Sequence, residues 1–127
     1  MLLPNQLITH IILPPAEGPS ATYEVRHGEG PDYPLAAAAA ALQFDGLGYV
    51  REAKIVLGQV APTPWISNEA AQQVIGRRVD TAVAEAAGKA AVARATPLSE
   101  SGYKVQLAKV AVKRAILLAA GLETGGF

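Results

Sequence analysis

The chain has 127 residues with 11 basic and 11 acidic side chains, a formal net charge of zero at neutral pH, and this balance gives no electrostatic reason to expect nucleic-acid binding. Cysteine is absent, which excludes a disulfide framework, a thiolate-held zinc and a cysteine-ligated iron–sulfur cluster within the chain. Half of the residues are apolar, enough for one domain with a core of its own, yet no apolar run reaches the ~20 residues that a bilayer span requires.

Residues 1–15 (MLLPNQLITHIILPP) are apolar but carry neither the basic stretch nor the small-residue cleavage site of a secretory leader. Together with the missing cysteine, this sets the expectation of a cytoplasmic protein with no membrane or secretion address of its own. Within that segment, residues 7–13 (LITHIIL) form a β-branched run closed by Pro14-Pro15. Proline cannot continue a ladder, so the run is predicted to be a strand followed by a break. Residues 16–20 are a loop, residues 21–25 (ATYEV) alternate as a strand, and His27-Gly28-Glu29-Gly30-Pro31 is a turn-rich connection.

An alanine run then begins at Ala36. Alanine has the best helix propensity, but its surroundings argue for a strand. Phe44-Asp45-Gly46-Leu47-Gly48 is dense turn chemistry, and Lys54-Ile55-Val56-Leu57 is a short β-branched run ended by Gly58. The two runs are predicted to form a hairpin that turns at Asp45-Gly46 and leaves through the stiff Pro62-Thr63-Pro64 to Trp65. Small residues on the first strand suit a sheet face on which helices sit closely.

The second half changes character. Ser67 or Asn68 can cap a helix over residues 69–75 that Gly76 stops. Asp80 or Thr81 caps a second, predicted to end before Thr96-Pro97, with Gly88 in its interior. A glycine there costs about 1 kcal/mol relative to alanine, and close packing against the sheet or another helix is the expected reason. A third helix starts near residues 99–102 and runs to Gly121, with Tyr103, Leu107, Val110, Arg114 and Leu117 as its inward stripe and Lys104, Lys109, Lys113 and Arg114 as a solvated face. Residues 123–127 are expected to fray. Strands first and helices afterwards indicate an α+β domain, a small antiparallel sheet with helices on one face.

No catalytic constellation emerges. His10 alternates with apolar neighbours and is expected to be a partly buried, hydrogen-bonded imidazole, and His27 lies in a loop expected to be exposed. Ser20, His27 and Asp32 make a triad on paper only, since nothing brings them together and there is no nucleophile elbow. The glycines at 28 and 30 lack the third glycine and the strand-to-helix context of a dinucleotide fingerprint. Glu17, Glu29, Asp32 and Asp45 are spread over loops, so no carboxylate pair is nominated for acid–base work. Tyr49 and Trp65 are the aromatics expected at a surface. Core packing is the expected role of Trp65, and a partner contact is the alternative.

Several segments resemble, in the right order, the flavoprotein subunits of the molybdenum hydroxylases, a family that includes carbon monoxide dehydrogenase, xanthine dehydrogenase and bacterial aldehyde oxidoreductases. They are Leu3-Pro4-Asn5-Gln6-Leu7-Ile8-Thr9-His10-Ile11 with Leu13-Pro14, Asp32-Tyr33-Pro34-Leu35-Ala36 with Asp45-Gly46, Ala53 through Pro64 (AKIVLGQVAPTP), and Gly102 through Lys109 (GYKVQLAK) with Lys113-Arg114-Ala115. The resemblance is to the C-terminal domain of such a subunit. It implies an α+β fold, a three-stranded antiparallel sheet packed against about three helices. It further implies that residues 1–15 are a remnant of a preceding FAD-binding domain, its last strand, and that residues 16–127 are the flavoprotein C-terminal domain.

In this family FAD is held mostly by glycine-rich loops of the preceding domain, and this sequence contains none of them. The resemblance therefore implies FAD in the complete subunit and no cofactor bound by this chain alone. Relatives contact the flavin near the position of Ile8, and many carry a lysine where Glu24 stands here, so no flavin-binding residue is carried over. Catalytic, cofactor-binding and metal residues: none is nominated. The implied partners are the FAD-binding domain and the iron–sulfur and molybdopterin subunits, with electrons passing from molybdenum through the clusters to FAD. The alternative is a free-standing interaction or dimerisation module without a redox role, because an open sheet edge and an apolar N-terminal strand invite self-association.

Overall fold

Alanine's helical preference is overridden in residues 36–41, which lie in the central region of a sheet. The computed structural model describes residues 2–28, 30 and 32–125. Its elements are β1 (Ser20–Val25), β2 (Ala36–Phe44), β3 (Val50–Gly58), β4 (Trp65–Ile66), α1 (Asn68–Val74), α2 (Thr81–Ala91) and α3 (Tyr103–Ala119). The strands lie in the order β1-β2-β3-β4, all antiparallel, so the α+β expectation holds with a fourth, two-residue strand added to the expected three.

β2 alternates with period two, burying Ala36, Ala38, Ala40 and Leu42. In register with them, Tyr23 and Leu57 flank Ala38, and Ala21 and Ile55 flank Ala40. This face carries the helices. α3 packs on β2 and β1, α1 packs on β3, and α2 packs on α1 and α3 rather than on the sheet.

The hairpin turns where expected. Asp45 Oδ1 accepts from the Leu47 and Tyr49 amides, both at 2.9 Å, and the Asp45 amide donates to the Tyr49 carbonyl at 2.8 Å. A register shift between Gln43 and Phe44 marks a bulge beside this turn. The helix caps also follow the sequence. Ser67 Oγ accepts from the Ala70 amide, and Asp80 Oδ1 accepts from the Val83 amide at 2.7 Å. Gly76, just past α1, adopts a φ of 76°, the left-handed conformation glycine supplies at no steric cost.

Four expectations are corrected. Residues 7–13 belong to no strand of the described chain, and Leu7 and Ile12 are 84% and 90% exposed. A strand needs a partner, and none of the described strands pairs with this run. His10 is accordingly exposed rather than partly buried, its Nδ1 3.0 Å from Thr9 Oγ1. α2 ends at Ala91 rather than running on to Ala95, because Val92 leaves helical geometry and residues 93 and 95 close tight turns on Ala90 and Val92.

The fourth correction is the face of α3. Ala108, Ala111, Val112, Ala115, Ile116 and Ala119 are buried with Leu117, whereas Tyr103 is exposed and Leu107, Val110 and Arg114 are only partly covered. Alanines meet the alanine strand, so the helix is rotated from the orientation its larger side chains suggest. The expected solvated face is also partly covered. Arg114 donates to the Tyr23 hydroxyl with its guanidinium 5.0 Å from that ring's centroid, and Lys104 Nζ donates to the Gln59 carbonyl at 2.8 Å. Residues 122–125 have no regular structure, while Glu29, Pro31, Gly126 and Phe127 lie outside the described residues.

Gly88 is the point of closest helix approach. A Cβ there would sit 2.6 Å from the Lys109 carbonyl oxygen on α3, a backbone atom that cannot swing away. Gly88→Ala gains roughly 1 kcal/mol of helix propensity but is expected to lose more through overpacking, which typically costs about 1–3 kcal/mol. Urea unfolding should show a lowered midpoint, and a raised one would mean that α2 and α3 are not held this closely.

Candidate functional site

The residues weighed for catalysis do not converge. Ser20 opens β1 while His27 and Asp32 lie beyond its far end, and six strand residues span about 17 Å. Gly28 and Gly30 lead toward β2, not into a helix. Asp45 is committed to the hairpin turn. Glu17 accepts from Gln43 Nε2 at 2.7 Å. Among the described residues no group of three His, Asp or Glu side chains could hold a metal ion, and no helix is long and apolar enough to cross a membrane.

Among the described carboxylates, Glu85 is the perturbed one. The Lys89 ammonium hydrogen-bonds it from one turn along α2, and the charges of Lys89 and Lys113 add to hold its carboxyl below the usual glutamate range. This group is exposed and its partners are all helix-surface lysines, so it is an ion-pair cluster joining α2 to α3 rather than an acid–base centre.

Three surfaces are left open. One is the apolar run of residues 7–13 together with the outer edge of β1, which has a single strand neighbour, β2. The second is the sheet face opposite the helices, where register aligns Thr22, Ala39, Val56 and Ile66.

The third is a cleft of about 530 Å3 at the other sheet edge. It lies between the chain leaving β3 (59–62), β4, and the connection from α2 to α3. Leu57 and Trp65, cross-strand neighbours, form one wall, and Pro97, Leu98 and Val105 contribute to the apolar lining. Glu69 and Arg94 form an ion pair at its margin, and Lys104 lines it while bound to the Gln59 carbonyl. Gln59 itself has a φ of 63°, unusual for a residue with a side chain, so this loop is held in place by its surroundings. Trp65 is thus not core packing. It is 46% exposed and lines the cleft together with the small residues Ala90, Ala91 and Ala108. The proline-tryptophan spacing singled this residue out, but the cleft depends on three separate segments and had no sequence signal.

The fold and these segments have counterparts. Residues 21–119 match the model of the CO dehydrogenase flavoprotein C-terminal domain. The chain belongs to the CO dehydrogenase flavoprotein C-terminal domain family. Its similarity to the carbon monoxide dehydrogenase medium chain of Afipia carboxidovorans is 33% identity over 118 residues, 89% of this chain and 41% of that one. Among solved structures, reconstituted CO dehydrogenase from Oligotropha carboxidovorans superimposes with a TM-score of 0.74 at 31% identity, covering 89% of this chain and 40% of that one. Quinoline 2-oxidoreductase from Pseudomonas putida 86 gives a TM-score of 0.73 at 30% identity over 80% of this chain and 36% of that one. This flavoprotein C-terminal domain therefore spans about two-fifths of the length of the relatives it matches.

Trp65 is the only tryptophan, so its exposure is directly measurable. In the native domain its fluorescence should be efficiently quenched by acrylamide; protection from the quencher would place the indole in the core instead.

Proposed function

We propose that this domain is the C-terminal structural and docking element of the FAD subunit of a molybdenum-containing hydroxylase, supporting electron transfer through FAD without performing bond chemistry itself. In such an assembly electrons pass from the molybdenum site through iron–sulfur clusters to a flavin held by a preceding FAD-binding domain. The proposed partners are that domain and the iron–sulfur and molybdopterin subunits, and the proposed setting is the cytoplasm. The observation that carries this, beside family membership, is the run of residues 7–13: five large aliphatic side chains exposed with no strand partner. An exposed apolar run of this kind marks an interaction surface. Residues 1–15 fit the role of a strand completing the FAD-binding domain, with residues 16–127 as the domain it tethers.

Among the described residues, the helix N-termini offer no open dinucleotide cradle. The amide ends of α1 and α2 are already capped by Ser67 and by the Asp80 carboxylate, which would repel a phosphate. α3 begins after Gly102 without a glycine-rich loop opening it. No step through FAD is therefore assigned to these residues.

Reconstitution tests this. The chain alone should leave FAD fluorescence unquenched, and a submicromolar dissociation constant would overturn the assignment. Mixed with a separately produced FAD-binding domain of a molybdenum hydroxylase, it should form a complex that Ile11→Asp weakens about tenfold or more, the effect of losing one interface anchor. The variant's own unfolding midpoint should stay unchanged, because Ile11 is 80% exposed in the domain.

A second reading, a free-standing self-association module, is favoured by the one-sided β1 edge. Light scattering over a range of concentrations distinguishes it. Growth of a dimer with concentration supports this reading, and a strict monomer throughout removes it.

A further inference from the structure

We propose that the cleft beside Trp65 is a binding site for a small planar aromatic anion. Its volume of about 530 Å3 falls within the roughly 300–1,000 Å3 typical of small-ligand sites. The cleft exists for a structural reason. β4 places Trp65 opposite Leu57, on the sheet face that the helices cover elsewhere, but α2 has already ended at Ala91. Leu57 is 2% exposed and its neighbour Trp65 is 46% exposed. An indole left open beside apolar walls is a stacking surface, and planar π-systems pack on it in offset or edge-to-face arrangements.

The charge follows from the ionisable groups in the lining, Glu69, Arg94 and Lys104. Glu69 and Arg94 pair with each other. Lys104 donates to the Gln59 carbonyl at 2.8 Å and, among the described residues, has no carboxylate partner. An ammonium carries three donors, so this group has capacity for a ligand carboxylate while still holding the 59–62 loop. A charge-assisted hydrogen bond is about twice as strong as a neutral one, which favours an anion over a neutral ring of the same shape. The cleft is bordered by β4 and the exit from β3, at the edge opposite β1, so the site stands independently of the docking role of residues 7–13.

The single tryptophan provides the measurement. In a 15N-labelled sample of the full chain, naphthalene-2-carboxylate should move the one indole N–H resonance saturably, together with the amides of Ala91 and Val105 and without those of the Asp45 turn. Naphthalene-2-methanol, the uncharged counterpart, should bind about tenfold more weakly, and Lys104→Gln should weaken the carboxylate by a similar factor. If that variant fails to fold, the comparison of carboxylate and alcohol on the native chain decides. An indole resonance that stays still up to the solubility limit of the carboxylate, or equal affinity for the two ligands, would overturn the proposal.

Discussion

The close approach of α3 to the alanine strand is the constraint on which the rest of the domain depends. Ala36, Ala38 and Ala40 present methyl groups on β2, and Ala108, Ala111, Ala115 and Ala119 present methyl groups on α3, all 4% exposed or less. A methyl contributes little burial, roughly 0.8 kcal/mol. The apolar mass of the core lies instead in larger neighbours such as Leu42, Ile55, Val112, Ile116 and Leu117. What the alanines provide is proximity. Across the same packed layers, Arg114 of α3 donates to the Tyr23 hydroxyl on β1. Gly88 continues the same logic one layer out, where α2 meets the backbone of α3. Proteins pack at crystal-like density, so enlarging any of these positions would push whole elements apart.

This explains which parts of the fold could be read from the residues alone. Turn and cap chemistry is local. Asp45 satisfies two amides of its own hairpin, and Ser67 and Asp80 satisfy amides three residues on, so each announces itself within a few positions. The strand character of the alanine run was legible from its flanks. The buried face of α3 was not, because a periodicity argument weights large apolar residues while this interface selects small ones. Tyr103 is left exposed and Leu107 packs only at the margin of the core.

The misplaced elements share a different cause, an interaction partner that sequence reasoning assumed and the domain does not supply. Residues 7–13 have every mark of a strand, yet strand formation is decided by a neighbour and none of the described strands provides one. Trp65 has every mark of a core residue, yet coverage is decided by what packs on it, and in this domain it borders an open cleft. β4 is two residues long, with too little alternation to detect, and exists because the 59–64 segment returns Trp65 to the β3 edge. The Glu69–Arg94 pair joins α1 to the chain after α2 across 25 positions, a contact that no local pattern encodes.

The positions of these exposed features follow from strand order. The chain enters the sheet at β1 and leaves it at β4, so the open edge of β1 and the cleft beside β4 lie at opposite edges of the same four strands. The helices over one face tie the two edges together through α3 on β1 and α1 on β3. A partner that completes the sheet beyond β1 would cover apolar surface there without touching Trp65, Lys104 or the 59–62 loop. The strained backbone at Gln59 is held from the α3 side by Lys104, at the edge away from that partner. The two edges are separated by the width of the sheet. An architecture of this kind can anchor a domain in a larger assembly through β1 while keeping a separate recognition surface open at β4.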